Sequence, residues 1–133
     1  MRPPCEFIDK YVLPAFRALV AKELVEKYEF SQMDAAKKLG TTQATINHYI
    51  SSKRGKKKLK QLQSIKEVQK TAEQIAYGIA TDEISTREAI IRFCKLCKKL
   101  RKDMLLCTMH KSAVPTSLEE CTICPDIQAQ RRA

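Results

Sequence analysis

The sequence has no tryptophan and few residues of two other kinds, aromatics and glycine. Its aromatic residues are four tyrosines and four phenylalanines, and none of its three glycines lies beyond Gly78. The shortage of aromatics argues against a surface on which the bases of single-stranded RNA would stack. A glycine-rich phosphate-binding loop is also absent, as is any Ser-His-Asp set or carboxylate pair at a defensible spacing. The sequence therefore predicts a protein that is not an enzyme and has no small-molecule substrate.

Two further absences concern membranes and export. The sequence contains no stretch of about 18 consecutive apolar residues, so a membrane-spanning helix is not expected. Pro3, Pro4, Glu6 and Asp9 interrupt the apolar segment that a secretory signal would need near the N-terminus. We therefore expect a cytoplasmic protein with no membrane partner. In a reducing compartment, the six cysteines predict metal binding or redox chemistry in preference to structural disulfides.

Residues 31–50 have the pattern of two short helices joined by a tight turn. Ser31, with Asp34 three residues later, is close to a capping box, and Gly40 suits a helix end where the backbone becomes left-handed. Thr42 is the predicted N-cap of the second helix. Three apolar residues at helical spacing form the predicted buried face of this second helix: Ile46, Tyr49 and Ile50.

The opposite face of the second helix carries Gln43, Ala44, Asn47 and His48. Their amide, methyl and imidazole groups match the edges of DNA bases better than they match a protein core. The alternative is an ordinary helical hairpin that binds no nucleic acid. The placement of the glycine and the caps, and the basic run that follows, favour the DNA-binding interpretation.

This stretch resembles the helix-turn-helix of the lambda repressor and Cro type, also called the xenobiotic-response-element type. The resemblance covers roughly residues 12–57, and the matching residues are Ser31, Gln32, Ala36, Leu39, Gly40, Thr42, Gln43, Ile46 and Tyr49, followed by the basic segment 52–55. In that family the second helix lies in the major groove of DNA. The resemblance implies base contacts by Gln43, Ala44, Asn47 and His48, and phosphate contacts by Gln32 and Thr42. Ala35 departs from the family, where leucine is usual, so a less filled core is expected.

Positive charge dominates the composition. Twenty-five Lys and Arg against fifteen Asp and Glu give a net charge of +10, which favours a polyanionic partner. Six of the eight residues from Lys53 to Lys60 are basic, including Arg54, Lys56 and Lys57. Runs of charge are usually just solvated surface. This run directly follows the predicted recognition helix, so we expect it to contact the phosphates of double-stranded DNA.

Helical periodicity predicts an all-α fold. Residues 1–11 are expected to be extended and to lead into a helix over about 12–28. Apolar residues spaced by three or four predict one long helix over about 60–80, part of which would pair with the second subunit of a homodimer. Gly78 and the polar residues after it are expected to loosen this helix and mark a boundary. The predicted parts are a helix-turn-helix DNA-binding domain (1–57), a long connecting or dimerisation helix (58–82) and a cysteine-rich metal-binding module (83–133).

A capping box that begins at Ser85 predicts a last helix over about 86–102. Its apolar side is expected to comprise Ala89, Ile90, Phe93, Cys94, Cys97 and Leu100. The remaining residues, 103–133, show no clear periodicity and are expected to be mostly loop.

The cysteines of this region form two CxxC pairs with a fifth cysteine between them. They are the candidate metal ligands: Cys94, Cys97, Cys107, Cys121 and Cys124. Two such pairs supply the four soft ligands of a tetrahedral site. His110 and Cys5 are further possible donors. Buried thiols and a redox disulfide are the alternatives to a metal.

The pattern favours an iron–sulfur cluster over zinc, which remains the alternative. Cys124 precedes a proline, as the last ligand of an iron–sulfur cluster often does, and no glycine-bearing turn of the kind seen in zinc ribbons follows Gly78. The whole arrangement, including Pro-Pro-Cys-Glu near the start, resembles a group of archaeal predicted transcription regulators with a cysteine-rich tail. We therefore expect a transcription regulator whose metal site senses redox state or metal. A small iron–sulfur redox protein and an RNA-binding protein are the competing functions.

Overall fold

The computed structural model describes residues 4–106, except for the side chains of Pro4, Tyr49, Arg54 and Lys58. All regular elements in that range are helical, which confirms the all-α prediction for this part of the chain. They are α1 (Pro4–Phe7), a π-helical turn (Ile8–Val12), α2 (Leu13–Tyr28), α3 (Gln32–Lys38), α4 (Gln43–Ser51), α5 (Lys53–Gln63), α6 (Lys66–Ala80) and α7 (Thr86–Lys102). Within the described range, none of these helices combines the length and apolar character needed to cross a membrane.

Helix α2 is the centre of the bundle because its sequence is apolar on almost every side. Leu19, Val20 and Leu24 are fully buried, and α2 contacts the π-helical turn, α3, α4, α5 and α6. A helix that is apolar all round has to be covered all round. Its most extensive partner is α6, which buries a complete apolar stripe: Val68, Ala72, Ile75, Ala76 and Ile79.

The N-terminal segment is helical, so the expectation of an extended chain over residues 1–11 was wrong for its described part. Helix α1 and the π-helical turn run directly into α2, which places Pro14 inside a continuous helical segment. Proline donates no N–H, and its ring crowds the carbonyl four residues earlier. The π-helical turn widens the helix at this point, because Leu13 donates its N–H to the carbonyl of Ile8, five residues back.

The helix predicted over residues 60–80 is two helices. Helix α5 ends at Gln63, and Ile65 is extended (φ −87°, ψ 112°) before α6 begins. The Ser64 hydroxyl donates to the carbonyl of Gln61 at 2.6 Å, a local bond that competes with helix continuation. Both helices pack on α2, and the α6 stripe is buried within the chain. The residues of this stripe are therefore buried within one chain. The pairing of part of this segment with a second subunit stays a prediction.

Helix α7 confirms the predicted bounds but not the whole predicted apolar face. Its N-cap is Ser85, whose hydroxyl oxygen accepts the Glu88 N–H at 3.2 Å. Leu96 and Leu100 are buried, whereas Ile90 is 58% exposed. The exposed residues also include Cys94, which was predicted on the apolar side. The reason is that α7 packs chiefly along α6, and this contact selects a stripe slightly rotated from the predicted one.

Gly78 does not end α6, which continues to Ala80. It is buried where the chain folds back over the helix, and the N–H groups of Glu83 and Ile84 both donate to its carbonyl, at 2.9 and 3.3 Å. A Cβ atom at position 78 would lie 2.7 Å from Cγ1 of Ile84. Glycine is therefore required here for close approach, and the expected loosening of the helix does not occur.

We expect Gly78→Ala to lower the free energy of unfolding in urea denaturation. Alanine gains about 1 kcal/mol of helix propensity over glycine, but overpacking against Ile84 costs about 1–3 kcal/mol. In an Ile84→Ala background the steric conflict is gone, so the same Gly78→Ala change should be neutral or stabilising. An equal loss in both backgrounds would contradict the steric explanation.

Candidate nucleic-acid interface

Side-chain caps and one glycine set the bounds of α3 and α4, as predicted. The Ser31 hydroxyl oxygen accepts the N–H of Asp34 at 3.1 Å, and Thr42 accepts the N–H of Thr45 at 3.1 Å. Gly40, between the helices, has φ +66° and no atom within 4 Å of where a Cβ would stand. Its role is therefore conformational, since only glycine adopts this backbone region without strain.

Helix α4 has its apolar residues inside and its polar residues outside. Ile46 is 1% exposed and Ile50 is half-buried against the core. The side chain of Tyr49 lies outside the described part. The four residues predicted to contact bases are all exposed: Gln43, Ala44, Asn47 and His48. The predicted orientation of the helix is thus confirmed for every residue whose side chain is described.

Residues predicted to contact bases and residues predicted to contact phosphates lie close together at the starts of α3 and α4. Gln43 Nε2 lies 3.5 Å from Gln32 Oε1, which is longer than the roughly 2.7–3.2 Å of a usual N–H···O hydrogen bond. This weak contact brings a predicted base-contacting residue next to a predicted phosphate-contacting residue. The Thr42 hydroxyl lies 2.8 Å from the hydroxyl of Thr45 while it also accepts the capping N–H. A hydroxyl has one proton and two lone pairs, so Thr42 can cap the helix and still bond a phosphate.

The basic run after α4 forms a helix of its own, which the sequence interpretation did not assign. Ser52 caps α5 by accepting the N–H of Gly55 at 2.9 Å. Gly55, Leu59 and Leu62 lie on one side and are buried. The opposite side carries four exposed lysines, Lys53, Lys56, Lys57 and Lys60, which we call the lysine stripe. Lys60 is the member absent from the predicted contact residues, although its spacing from Lys53 and Lys56 places it on the same face. The Arg54 side chain lies outside the described part.

No carboxylate neutralises the lysine stripe within residues 4–106. The ion pairs in this range include those of Lys10, Lys27, Lys38 and Arg92, none of which belongs to the stripe. Moreover, the first turn of α5 carries Lys53 and no acidic residue, although the helix dipole favours negative charge at an N-terminus. Each misplaced cation costs roughly 0.3–1 kcal/mol at such a position. Helix α5 directly follows α4 and packs against it, so the helix that carries this uncompensated positive charge is a neighbour of α4.

The predicted metal ligands are only partly within the described residues. Cys94 is exposed and Cys97 is half-buried against the core, one turn apart on α7. Cys107, Cys121 and Cys124, together with His110, lie outside the described residues. Within residues 4–106 no group of three or more His, Cys, Asp or Glu side chains is placed to hold a metal. Cys94 and Cys97 can supply two thiolates from one helix face, and a tetrahedral site needs two more ligands from elsewhere. Cys5, on α1, is exposed.

No family model, no curated protein and no solved structure matched this chain.

We expect loss of the Thr42 cap to destabilise α4 measurably. Thr42→Ala should lower the free energy of unfolding by about 1 kcal/mol in urea denaturation followed by circular dichroism, because the N–H of Thr45 loses its acceptor. Thr42→Ser keeps the hydroxyl and should retain most of the stability. Thr41→Ala is the matched control, since that hydroxyl makes no hydrogen bond with a described residue. Equal losses from Thr41→Ala and Thr42→Ala would contradict the capping role.

Proposed function

We propose that this protein is a sequence-specific transcription regulator that binds double-stranded DNA, with α3 and α4 acting as a helix-turn-helix. The observation that carries the proposal is the division of α4, where Ile46 is buried while Asn47 and His48 are exposed. An exposed helix face of amides and imidazole beside an uncompensated cationic helix is suited to a duplex, which offers base edges flanked by phosphates.

In this proposal α4 enters the major groove, which is about 12 Å wide and admits one α-helix. The amides of Gln43 and Asn47 can each form two hydrogen bonds with adenine, and the methyl group of Ala44 can pack on the methyl group of thymine. The Gln43 amide lies 3.5 Å from Gln32 Oε1, so these two side chains are neighbours at the start of the proposed interface.

The lysine stripe and Thr42 would contact the phosphate backbone on either side of the bases. Lysine neutralises a phosphate and releases its condensed counterions, which strengthens binding to any sequence and makes it sensitive to salt. The net charge of +10 also strengthens the attraction to DNA, and it acts over a longer range than direct contacts. Base contacts by α4 would then supply the sequence preference.

Two copies would read two half-sites about one helical turn of DNA apart, roughly 34 Å. The α6 stripe is buried in each chain, so a homodimer would have to use another surface. Titration of DNA with protein, together with equilibrium sedimentation, gives the stoichiometry, and we expect two chains per site.

We expect base-contacting and phosphate-contacting residues to respond differently to substitution. Gln43→Ala or Asn47→Ala should cost about 1–3 kcal/mol of binding free energy and relax specificity at one base position. Lys57→Ala should weaken binding to all sequences alike and reduce the salt dependence by about one phosphate contact. Fluorescence anisotropy on duplexes selected from random DNA measures both effects.

Lys66→Ala is the matched control for these titrations, because Lys66 is an exposed lysine at the start of α6, outside the interface. It should leave affinity unchanged. Uniform losses from Gln43, Asn47 and Lys57 variants would reduce the protein to a general DNA binder, and tighter binding to single-stranded RNA would favour the RNA-binding alternative.

We further propose that an iron–sulfur cluster, or a zinc ion as the alternative, binds to Cys94, Cys97 and two of Cys107, Cys121 and Cys124. Thiolates are the ligands that both groups prefer. When bound, the group would crosslink α7 to the chain beyond residue 106 and make that link sensitive to oxidation or metal supply. Because α7 packs on α6, and α6 on α2, α7 is in indirect contact with the bundle that carries α4.

We expect Cys97→Ser to lower the metal content of protein purified without oxygen, whereas Cys5→Ser should not. Elemental analysis and the visible absorption spectrum measure this, and a brown protein with iron and sulfide would distinguish a cluster from colourless, zinc-containing protein. DNA affinity should fall when the metal is removed. Equal affinity of loaded and metal-free protein would leave the site a purely structural role.

A further inference from the structure

A groove between α2 and α7 takes no part in the proposed DNA contacts. Its cavity volume is about 450 Å³, within the range of about 300–1,000 Å³ that small-molecule sites usually have. Leu13, Phe16 and Val20 form one wall, Ile90 and Phe93 form the other, and α6 contributes Ile75. The groove exists because α7 packs chiefly on α6 and reaches α2 through Phe93, whose ring centre is 5.0 Å from that of Phe16.

One side chain of the apolar α2 wall is charged. Arg17 lies on the same helix face as Leu13, Phe16 and Val20 and lines the groove with them. It is half-buried, yet it makes no hydrogen bond or ion pair with any described residue. A guanidinium that is partly removed from water without an anionic partner is unfavourable, and a bound anion would offset this.

A second cation lies at the end of the groove. Lys38, at the end of α3, also lines it, and its ammonium is 3.8 Å from the carboxylate of Asp82. Both side chains of this pair are more than half exposed, at 52% and 86%. Such an exposed pair contributes little and is easily exchanged for another anion. Among the described residues, the groove thus combines apolar walls with two cations and no buried carboxylate.

We propose that this groove binds an amphipathic carboxylate, such as a medium-chain aliphatic acid. Its hydrocarbon chain would pack along Leu13, Ile90 and Phe93. Its carboxylate would accept two hydrogen bonds from Arg17, the geometry that guanidinium groups favour. A purely apolar occupant would leave Arg17 without a partner, and a small hydrophilic anion would leave the apolar walls uncovered. Only an occupant that has an apolar chain and an anionic group can cover the walls and also bind Arg17.

The groove also touches Leu39 and Gly40, which connect α3 to α4. A bound acid would therefore contact the backbone that sets the relative position of these helices. The binding itself does not depend on whether the protein binds DNA, so the two proposals can fail separately.

Isothermal titration of the full chain with decanoate, below its micelle concentration, tests the proposal. We expect one decanoate per chain, with octanoate binding roughly fifteenfold more weakly because each buried methylene contributes about fourfold in affinity. Decanol has the same chain without the charge and should bind at least about tenfold more weakly, since a charge-assisted hydrogen bond contributes about that much.

Two substitutions locate the site. Arg17→Met should weaken decanoate binding about tenfold or more, while leaving decanol binding unchanged. Arg87→Met is the matched control, because Arg87 is exposed on α7 and does not line the groove. Ile90→Glu places a negative charge in the opposite wall at a position that is 58% exposed, so it should abolish decanoate binding without disturbing the core.

Several outcomes would overturn the proposal. Equal affinity for decanoate and decanol, or unchanged decanoate affinity in Ile90→Glu, would show apolar association elsewhere. The absence of any decanoate binding to the full chain would show that the groove is not a site for an aliphatic acid. If circular dichroism shows that Arg17→Met does not fold, the decanoate affinity of Ile90→Glu alone tests the proposal.

Discussion

Helix α2 has to be covered on every side, and the positions of the other helices follow from that requirement. Ala35 and Ala36 of α3 and Ile46 of α4 are all buried in the core that α2 organises. Once Ile46 is fixed there, helical geometry turns Asn47 and His48 away from the core. The exposed polar face of α4 is thus a consequence of packing around α2. Ala35, for which a less filled core is predicted, is fully buried.

Local chemistry made much of the candidate interface predictable from sequence. Hydroxyl caps at Ser31, Thr42 and Ser85 and the left-handed Gly40 act within a few residues of themselves, so their effect does not depend on the rest of the fold. Alternating apolar and polar positions likewise determined which face of α4 is buried. These signals are short-range, and they were sufficient to place the base-contacting candidates on the surface.

The features that could not be predicted depend on contacts between distant parts of the chain. The apolar stripe of α5 and α6 continues across the break at Ser64 and Ile65, so periodicity gave no sign of two helices. The helical N-terminal segment is stabilised by burial of Phe7 and Ile8, which composition alone did not indicate. The unpartnered Arg17 and the groove it lines arise from the way α7 rests on α6, which is a property of the assembled bundle.

The contact between α2 and α6 joins parts of the chain that are far apart in sequence, as the hydrogen bond from Gln69 to Glu23, 46 residues away, illustrates. While the ribosome is synthesising the protein, the apolar sides of α2 and the nearby α3 and α4 emerge well before residues 66–80 exist to cover them. Protein domains generally fold as units during synthesis. The nascent chain therefore carries an incompletely covered apolar helix until α6 has left the exit tunnel.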